Sequence, residues 1–344
     1  MTVRQLFGID VPIIQAPMAG VQGSALAIAV SNAGGLGSLP CAMLSADGLA
    51  QELATIRAHT ARPFNVNFFC HTSPAVDADR EAAWRAALSP YYREFGIDAA
   101  SITPGPGRAP FNADAASILE QVRPAVVSFH FGLPSDDLLA RVRAAGARIL
   151  ASATTLDEAR WLDARGVDAI IAQGLEAGGH RGIFLSDDLT TQIGVFALVP
   201  QMVRAVRVPV IAAGGIADAQ GVRAMLAMGA TAVQVGTAFM CCPEATTTRI
   251  HREALISDAA RHTALTNVFT GRPARGIVNR IVRELGPLST SAPAFPLAPA
   301  ALAPLRAEAE RRGSGDFSPL WSGQNASGCR DIPAATLVRE LAGV

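Results

Sequence analysis

Ala169-Ile170-Ile171-Ala172-Gln173, followed after two residues by Glu176-Ala177-Gly178-Gly179-His180-Arg181-Gly182, decides how the rest of this chain is read. A short apolar run of this kind is a buried strand, and it opens into a glycine-rich turn with one histidine at its tip. A barrel enzyme presents a reactive side chain in this way, at the C-terminal end of a strand. Glycines there let the backbone approach a flat ligand closely. The same logic of a strand ending in a small-residue turn recurs in Pro209-Val210-Ile211-Ala212-Ala213-Gly214-Gly215-Ile216 and in Ala232-Val233-Gln234-Val235-Gly236-Thr237. Two adjacent turns of this type make a phosphate cradle.

Outward from this point, short apolar or β-branched runs alternate with segments of helical periodicity, which is the pattern of a parallel sheet. Besides the three strands above, the runs are Ile13-Ile14-Gln15-Ala16, Gly35-Leu36-Gly37-Ser38-Leu39, Phe64-Asn65-Val66-Asn67-Phe68-Phe69, Val126-Val127-Ser128-Phe129-His130 and Ile149-Leu150-Ala151-Ser152-Ala153. Between strands five and six, Leu156, Ala159 and Leu162 fall on one helical face. Eight strand–helix units make a (β/α)8, or TIM, barrel of the α/β class. A doubly wound open sheet would carry its glycine signal after the first strand, and here the signal follows the sixth, seventh and eighth.

Two segments exceed a minimal barrel. The connection over about 72–123, with Trp84, Tyr91, Tyr92 and the turn Thr103-Pro104-Gly105-Pro106-Gly107, reads as a helical insertion. Residues 261–322, punctuated by Pro287, Pro293, Pro296, Pro299 and Pro304, read as a small cap of short helices over the mouth of a barrel spanning 1–260. The amphipathic stretch 334–341 closes a C-terminal segment, 323–344, as a docked helix.

Composition bounds the partners. Of 344 residues 50% are hydrophobic and 17% charged, and the formal net charge is zero, so electrostatics favours neither nucleic acid nor an anionic membrane. No signal-peptide pattern or bilayer-length apolar window is visible, and a soluble cytoplasmic enzyme is the expectation. The five cysteines, Cys41, Cys70, Cys241, Cys242 and Cys329, lack metal-ligand spacing, and no metal is expected. They read as buried reduced thiols, with redox activity of the vicinal pair as the alternative.

The ordered set Gln15-Ala16-Pro17-Met18-Ala19-Gly20, Asn65-Val66-Asn67, Gln173 with Glu-Ala-Gly-Gly-His, Ala-Ala-Gly-Gly-Ile, Gln-Val-Gly-Thr and Leu320-Trp321-Ser322-Gly323-Gln324 resembles the nitronate monooxygenase family, formerly the 2-nitropropane dioxygenases. The resemblance spans nearly the whole chain. It implies a (β/α)8 barrel holding one non-covalent FMN, with contacts from Asn67, Gln173, Gly178, Gly215 and the run Gln234, Val235, Gly236 and Thr237. It also implies a small-molecule nitronate and dioxygen as partners, and is compatible with a homo-oligomer. The wider superfamily includes NADH:quinone reductases and enoyl-thioester reductases, which keeps an NAD(P)H-dependent FMN reductase as the alternative; a flavin-binding barrel without turnover is the third reading.

Each site residue has an ordinary reading beside the functional one. Gly214, Gly215, Gly236 and Thr237 would offer backbone N–H groups and a hydroxyl to the FMN phosphate, or are simple tight turns. Asn67 and Gln173 are amides at strand ends that need partners, either from an isoalloxazine edge or from the core. Met18 places backbone beside the flavin or packs in the core. His180 is the expected catalytic residue, as a base toward the carbon next to a nitro group or as a donor to an anionic nitronate. His130, at the end of strand four, lines the substrate pocket or packs in it. Trp321 and Gln324 lock the closing segment, and the arginines within 272–283 read as a solvated face.

One branch of the family carries tyrosines and a lysine in the cap after a Phe-Pro dipeptide. Here Phe295-Pro296 is followed by Leu297-Ala298-Pro299-Ala300, and the chain contains no lysine. A more apolar substrate pocket is expected.

Overall fold

The computed structural model describes residues 2–102 and 107–344; of the turn read at 103–107, residues 103–106 lie outside the described residues. Eight parallel strands, Ile13–Gln15, Gly37–Pro40, Phe64–Phe69, Val126–His130, Arg148–Ala153, Ala169–Gln173, Val210–Ala213 and Ala232–Val235, follow one another around a cylinder. Strand one pairs with strand eight through Ile13 opposite Val233, Ile14 opposite Gln234 and Gln15 opposite Val235. A parallel bridge from Ile14 to Leu36 completes the circle toward strand two. The strands read as continuous apolar runs because both faces are covered.

Period-two alternation divides each strand between two cores. Ile14, Val126, Leu150, Ala169, Ile171, Ile211 and Ala213 pack inside the barrel, where Leu6, Phe7 and Ile9 close the floor. Their neighbours Ile13, Val127, Ile149, Ile170, Val210, Ala212, Val233 and Val235 pack outward against the helices. Toward the mouth, the inward positions become polar. Asn67, His130, Ser152, Gln173 and Gln234 all line the space above the interior core.

The segments outside the barrel form one body. The insertion helix Ala78–Phe95, capped by Asp77 accepting from the Arg80 amide, packs on the cap helix Pro299–Arg311. Trp84, Leu88, Tyr91 and Tyr92 meet Leu302, Leu305, Ala309 and Phe317 in a core separate from the barrel. The Tyr92 hydroxyl donates to the Ala301 carbonyl at 2.7 Å. The insertion is shorter than 72–123, because the helix Ala113–Val122 contributes Ala116 and Leu119 to the main core and belongs to the barrel ring.

The cap is not wholly helical. Thr263–Thr266 and Ala274–Ile277 form an antiparallel pair, and Gly179–His180 adds a third strand to it, with Ala274 opposite His180. The proline density of 261–322 hides these strands, whose alternation is only four residues long. The closing helix Ala334–Ala342 docks by Ala334, Leu337, Val338 and Leu341. All five cysteines are free thiols, four of them buried.

Candidate active site at the barrel mouth

Strand six ends at Gln173, and the loop that follows turns back over the mouth to place His180. The Gln173 side chain is consumed by this loop: its Nε2 donates to the His180 carbonyl at 2.9 Å and its Oε1 accepts from the Gly182 amide at 2.7 Å. The amide expected to meet a flavin edge therefore satisfies its own turn, because a buried amide takes the nearest available partners. Arg181 fastens the same loop from below. Completely buried, it donates to the Gln192 side chain at 3.0 Å and to the carbonyls of Gly174 and Gln173 at 2.7 and 2.8 Å. Burial pushes its pKa down to about 10, which leaves it charged at neutral pH.

Replacing Arg181 with Met leaves the Gln192 side-chain oxygen and the Gln173 carbonyl without this donor, while the Gly174 carbonyl keeps the Ala177 amide at 3.1 Å. At about 1–3 kcal/mol for each unsatisfied group, the variant is expected to lose about 2 kcal/mol or more of stability. Urea unfolding would measure this, and a loss under about 1 kcal/mol would show that the loop does not depend on Arg181.

His180 Nε2 lies 3.0 Å from the Thr270 hydroxyl, which donates to the Arg272 carbonyl at 3.2 Å. A hydroxyl has one proton to give, so the network assigns the Nε2 proton to His180 and leaves its Nδ1 lone pair free. Burial, then the charge of Arg108, with His130, Arg272 and His71 adding smaller shares, holds the His180 pKa well below its ordinary value. The ring is a neutral imidazole.

His130 lines the pocket, and both of its ring nitrogens face protein groups. Its Nε2 faces the His180 carbonyl at 3.2 Å and its Nδ1 the Ser152 hydroxyl at 3.0 Å. Burial pushes its pKa down to about 3. With both nitrogens engaged by protein, His130 is a positioning residue that fixes the His180 backbone, and only its ring surface is left for a ligand.

Around His180 stand the rings of Phe295 at 5.3 Å, Trp321 at 5.7 Å, Phe131 at 5.9 Å and Phe69 at 6.0 Å. The Thr270 hydroxyl reaches the imidazole through this wall of rings. Two arginines enter it: Arg108, and Arg272, whose guanidinium lies 4.1 Å over the Phe131 ring. The reading of 272–283 as a solvated face is thus corrected. Arg272 is half-buried and Arg275 buried, donating to the Leu175 carbonyl at 2.9 Å, because the unexpected strand carries them beneath the loop. Arg280, which pairs with Glu94, and the exposed Arg283 behave as expected.

Gly214 and Gly215 have φ of 123° and 69°, in the region that favours glycine. They line the pocket with Gly178, Gly236 and Thr237. Val235 does not: its side chain lies on the outward parity of strand eight, 1% exposed in the main core. Met18 lines the pocket, but its amide already donates to Gln22 Oε1 at 3.0 Å.

The C-terminal segment completes the site, a contribution the sequence reading reduced to a lock. The Gly323 amide donates to Thr237 Oγ1 at 3.0 Å, and Asn325 Nδ2 to the Gly215 carbonyl at 3.1 Å. A Cβ on Gly178 would sit 2.5 Å from the Gly323 nitrogen, so that glycine is needed for this closure. Gln324 acts through its backbone, whose amide donates to the Glu176 carbonyl at 2.9 Å. Gly323, Asn325, Phe69 and Arg108 all line the pocket without having been singled out as ligand-binding. Phe69 comes from the end of strand three, Arg108 from the insertion, and Gly323 and Asn325 from the C-terminal segment.

Fold and site together define a TIM-barrel enzyme whose mouth is organised around one neutral histidine. Residues 2–343 match the nitronate monooxygenase family. The nitronate monooxygenase of Paraburkholderia phytofirmans is 46% identical over 98% of this chain and 92% of its own length, and that of Pseudomonas aeruginosa is 44% identical over 98% and 97%. Among solved structures, nitroalkane oxidase from Streptomyces ansochromogenes superposes with a TM-score of 0.89 at 40% identity, covering 99% of this chain and 96% of that one. FabK from Thermotoga maritima follows at a TM-score of 0.72 and 26% identity, covering 99% and 94%. This chain belongs to the nitronate monooxygenase family, and it is an oxidoreductase.

Proposed function

We propose that the protein binds FMN at the barrel mouth and oxidises alkyl nitronates, and nitroalkanes through their nitronates, with dioxygen to carbonyl compounds and nitrite. One observation carries this: a neutral histidine with a free ring nitrogen stands among aromatic rings on the same pocket as the glycine turns of strands seven and eight. The residues present fit FMN. Gln234 Oε1 is a buried acceptor without a partner, suited to a ring N–H of a flavin. Gly214, Gly215 and Gly236 leave room for a phosphate where side chains would fill it, and Thr237, already accepting from Gly323, has its hydroxyl proton to donate. Asn67, whose Nδ2 donates to Ser128 Oγ at 2.9 Å, keeps its carbonyl oxygen for the ligand.

When bound, FMN supplies the electron-transfer chemistry and dioxygen completes the oxidation. The chain's own residues do the rest. His180 Nδ1 takes the proton from the carbon next to the nitro group, and the aromatic rings exclude water from that transfer. Arg108 and Arg272 offset the negative charge of the nitronate that results. Thr270 and His130 hold the imidazole in one tautomer and one place.

Anaerobic mixing of the FMN-loaded protein, separately with NADH and with propionate 3-nitronate, tests the reading. The flavin spectrum is expected to change with the nitronate and not with NADH. Rapid bleaching by NADH alone would replace this reading with an NAD(P)H-dependent reductase of quinones or enoyl thioesters.

A further inference from the structure

A second cavity, of about 400 Å³, lies between the insertion helix Ala78–Phe95 and the cap helix Pro299–Arg311. Much of its wall is apolar, including Trp84, Leu297, Pro299 and Ala301. The charged groups in the wall are Arg85, Arg108, Arg306 and Glu81. Arg306 is paired with Glu310 at 2.8 Å, while Arg85 and Arg108 have no carboxylate within ion-pair distance among the described residues. Arg85 finds only the Ile102 carbonyl, at 3.4 Å. Burial draws the Arg108 pKa below the ordinary arginine value, with no anion opposing the shift.

Trp84 supplies an independent sign. It is fully buried, and its indole N–H has no acceptor. A buried donor without a partner costs about 1–3 kcal/mol, so a native fold that keeps one commonly completes it with something that binds.

Arg108 lines both this cavity and the pocket around His180. Its guanidinium lies 5.6 Å over the Phe295 ring, the ring that stands 5.3 Å from His180. The next residue, Pro296, faces the outer cavity. Arg108 is therefore common to the walls of both spaces, with the Phe295 ring against it.

We infer that the outer cavity is a subsite for the tail of an extended substrate: an aliphatic chain ending in a carboxylate, whose other end is at His180. The chain covers the apolar wall. The carboxylate pairs with the unpartnered Arg85 guanidinium and accepts from the Trp84 indole, which a neutral alkyl tail would leave unsatisfied. The assignment rests on the nitronate reading only for what happens at the reacting end.

Decanoate, which carries the tail chemistry without a nitro group, tests the subsite without turnover. Calorimetric titration into the FMN-loaded protein is expected to show one site, weakened at least tenfold by Arg85→Leu and by Trp84→Phe, the second of which preserves packing. In steady-state assays the nitronate of 8-nitrooctanoate should exceed that of 1-nitrooctane in kcat/KM by tenfold or more. Arg85→Leu should erase that preference and leave ethyl nitronate within twofold of its original rate. Absence of decanoate binding, or binding unaffected by both variants, overturns the subsite. So does equal preference for the two eight-carbon nitronates. Decanoate binding with the expected variant effects, but without nitronate turnover, would keep the subsite and sink the proposed reaction instead.

Discussion

His180→Asn is expected to abolish turnover of neutral nitroalkanes while a preformed nitronate keeps part of its rate. The nitronate has already lost the proton that the imidazole removes. Loss of a general base costs about 100- to 10,000-fold, whereas loss of one hydrogen bond to an anion costs about 1.5 to 3 kcal/mol, or roughly ten- to a hundredfold. The two substrates should therefore diverge by one to two orders of magnitude. The structure adds a pH dependence. Burial and the neighbouring Arg108 charge hold the His180 pKa well below its ordinary value, so the base form is fully populated at neutral pH. Activity on nitroalkanes should accordingly stay level down to about pH 6.5, the ordinary histidine value, and fall only below it. Equal and large losses on both substrates would recast His180 as an anion-binding or flavin-shaping residue. An acidic limb at or above pH 6.5 would contradict the neutral, desolvated imidazole.

Gly236→Asp should empty the flavin site while the barrel stays folded. Gly236 has an ordinary φ of −114°, and a Cβ there would meet Met18 Sδ at an ordinary 3.7 Å and Ala16 Cβ at a tight 3.3 Å, which a small shift at Ala16 relieves. The same change at Gly214 or Gly215 would add backbone strain and blur the result, since both have positive φ. A carboxylate placed beside a phosphate costs several kcal/mol, and about 3 kcal/mol is already more than a hundredfold in Kd. Riboflavin, which has no phosphate, serves as the control and should bind the variant and the original protein alike. Equal FMN affinity in the two proteins would put the phosphate elsewhere.

Much of this fold is written locally. Strand positions follow from apolar runs ending in small or polar residues, and the barrel from their number and their alternation with helices. The inward polar positions Asn67, His130, Gln173 and Gln234 follow from period two, because every second residue of a strand near the mouth must face the pocket. The same parity turns Val235 outward, a consequence that motif position alone concealed. The glycines at 214 and 215 were legible for a similar reason: their backbone conformations exclude most other residues.

Tertiary structure decided how those groups are used. Gln173 and His130 lie where the sequence puts them, yet Gln173 spends its amide on the His180 loop and His130 its nitrogens on that loop and Ser152, since a buried donor or acceptor bonds to whatever the fold brings nearest. The strand pairing of Gly179–His180 with Ala274–Ile277 buries Arg275 and carries Arg272 to the mouth, although 94 residues separate His180 from Ala274. Arg108 and Asn325 reach the site from an insertion and a C-terminal segment without a motif of their own, and Gly323 from within the Leu320–Gln324 motif. Sequence alone determined the backbone path and the face each strand presents, because those depend on neighbours a few residues away. Which side chains stay free for chemistry was settled only by contacts between distant segments, where hydrogen-bond partners and desolvation are assigned.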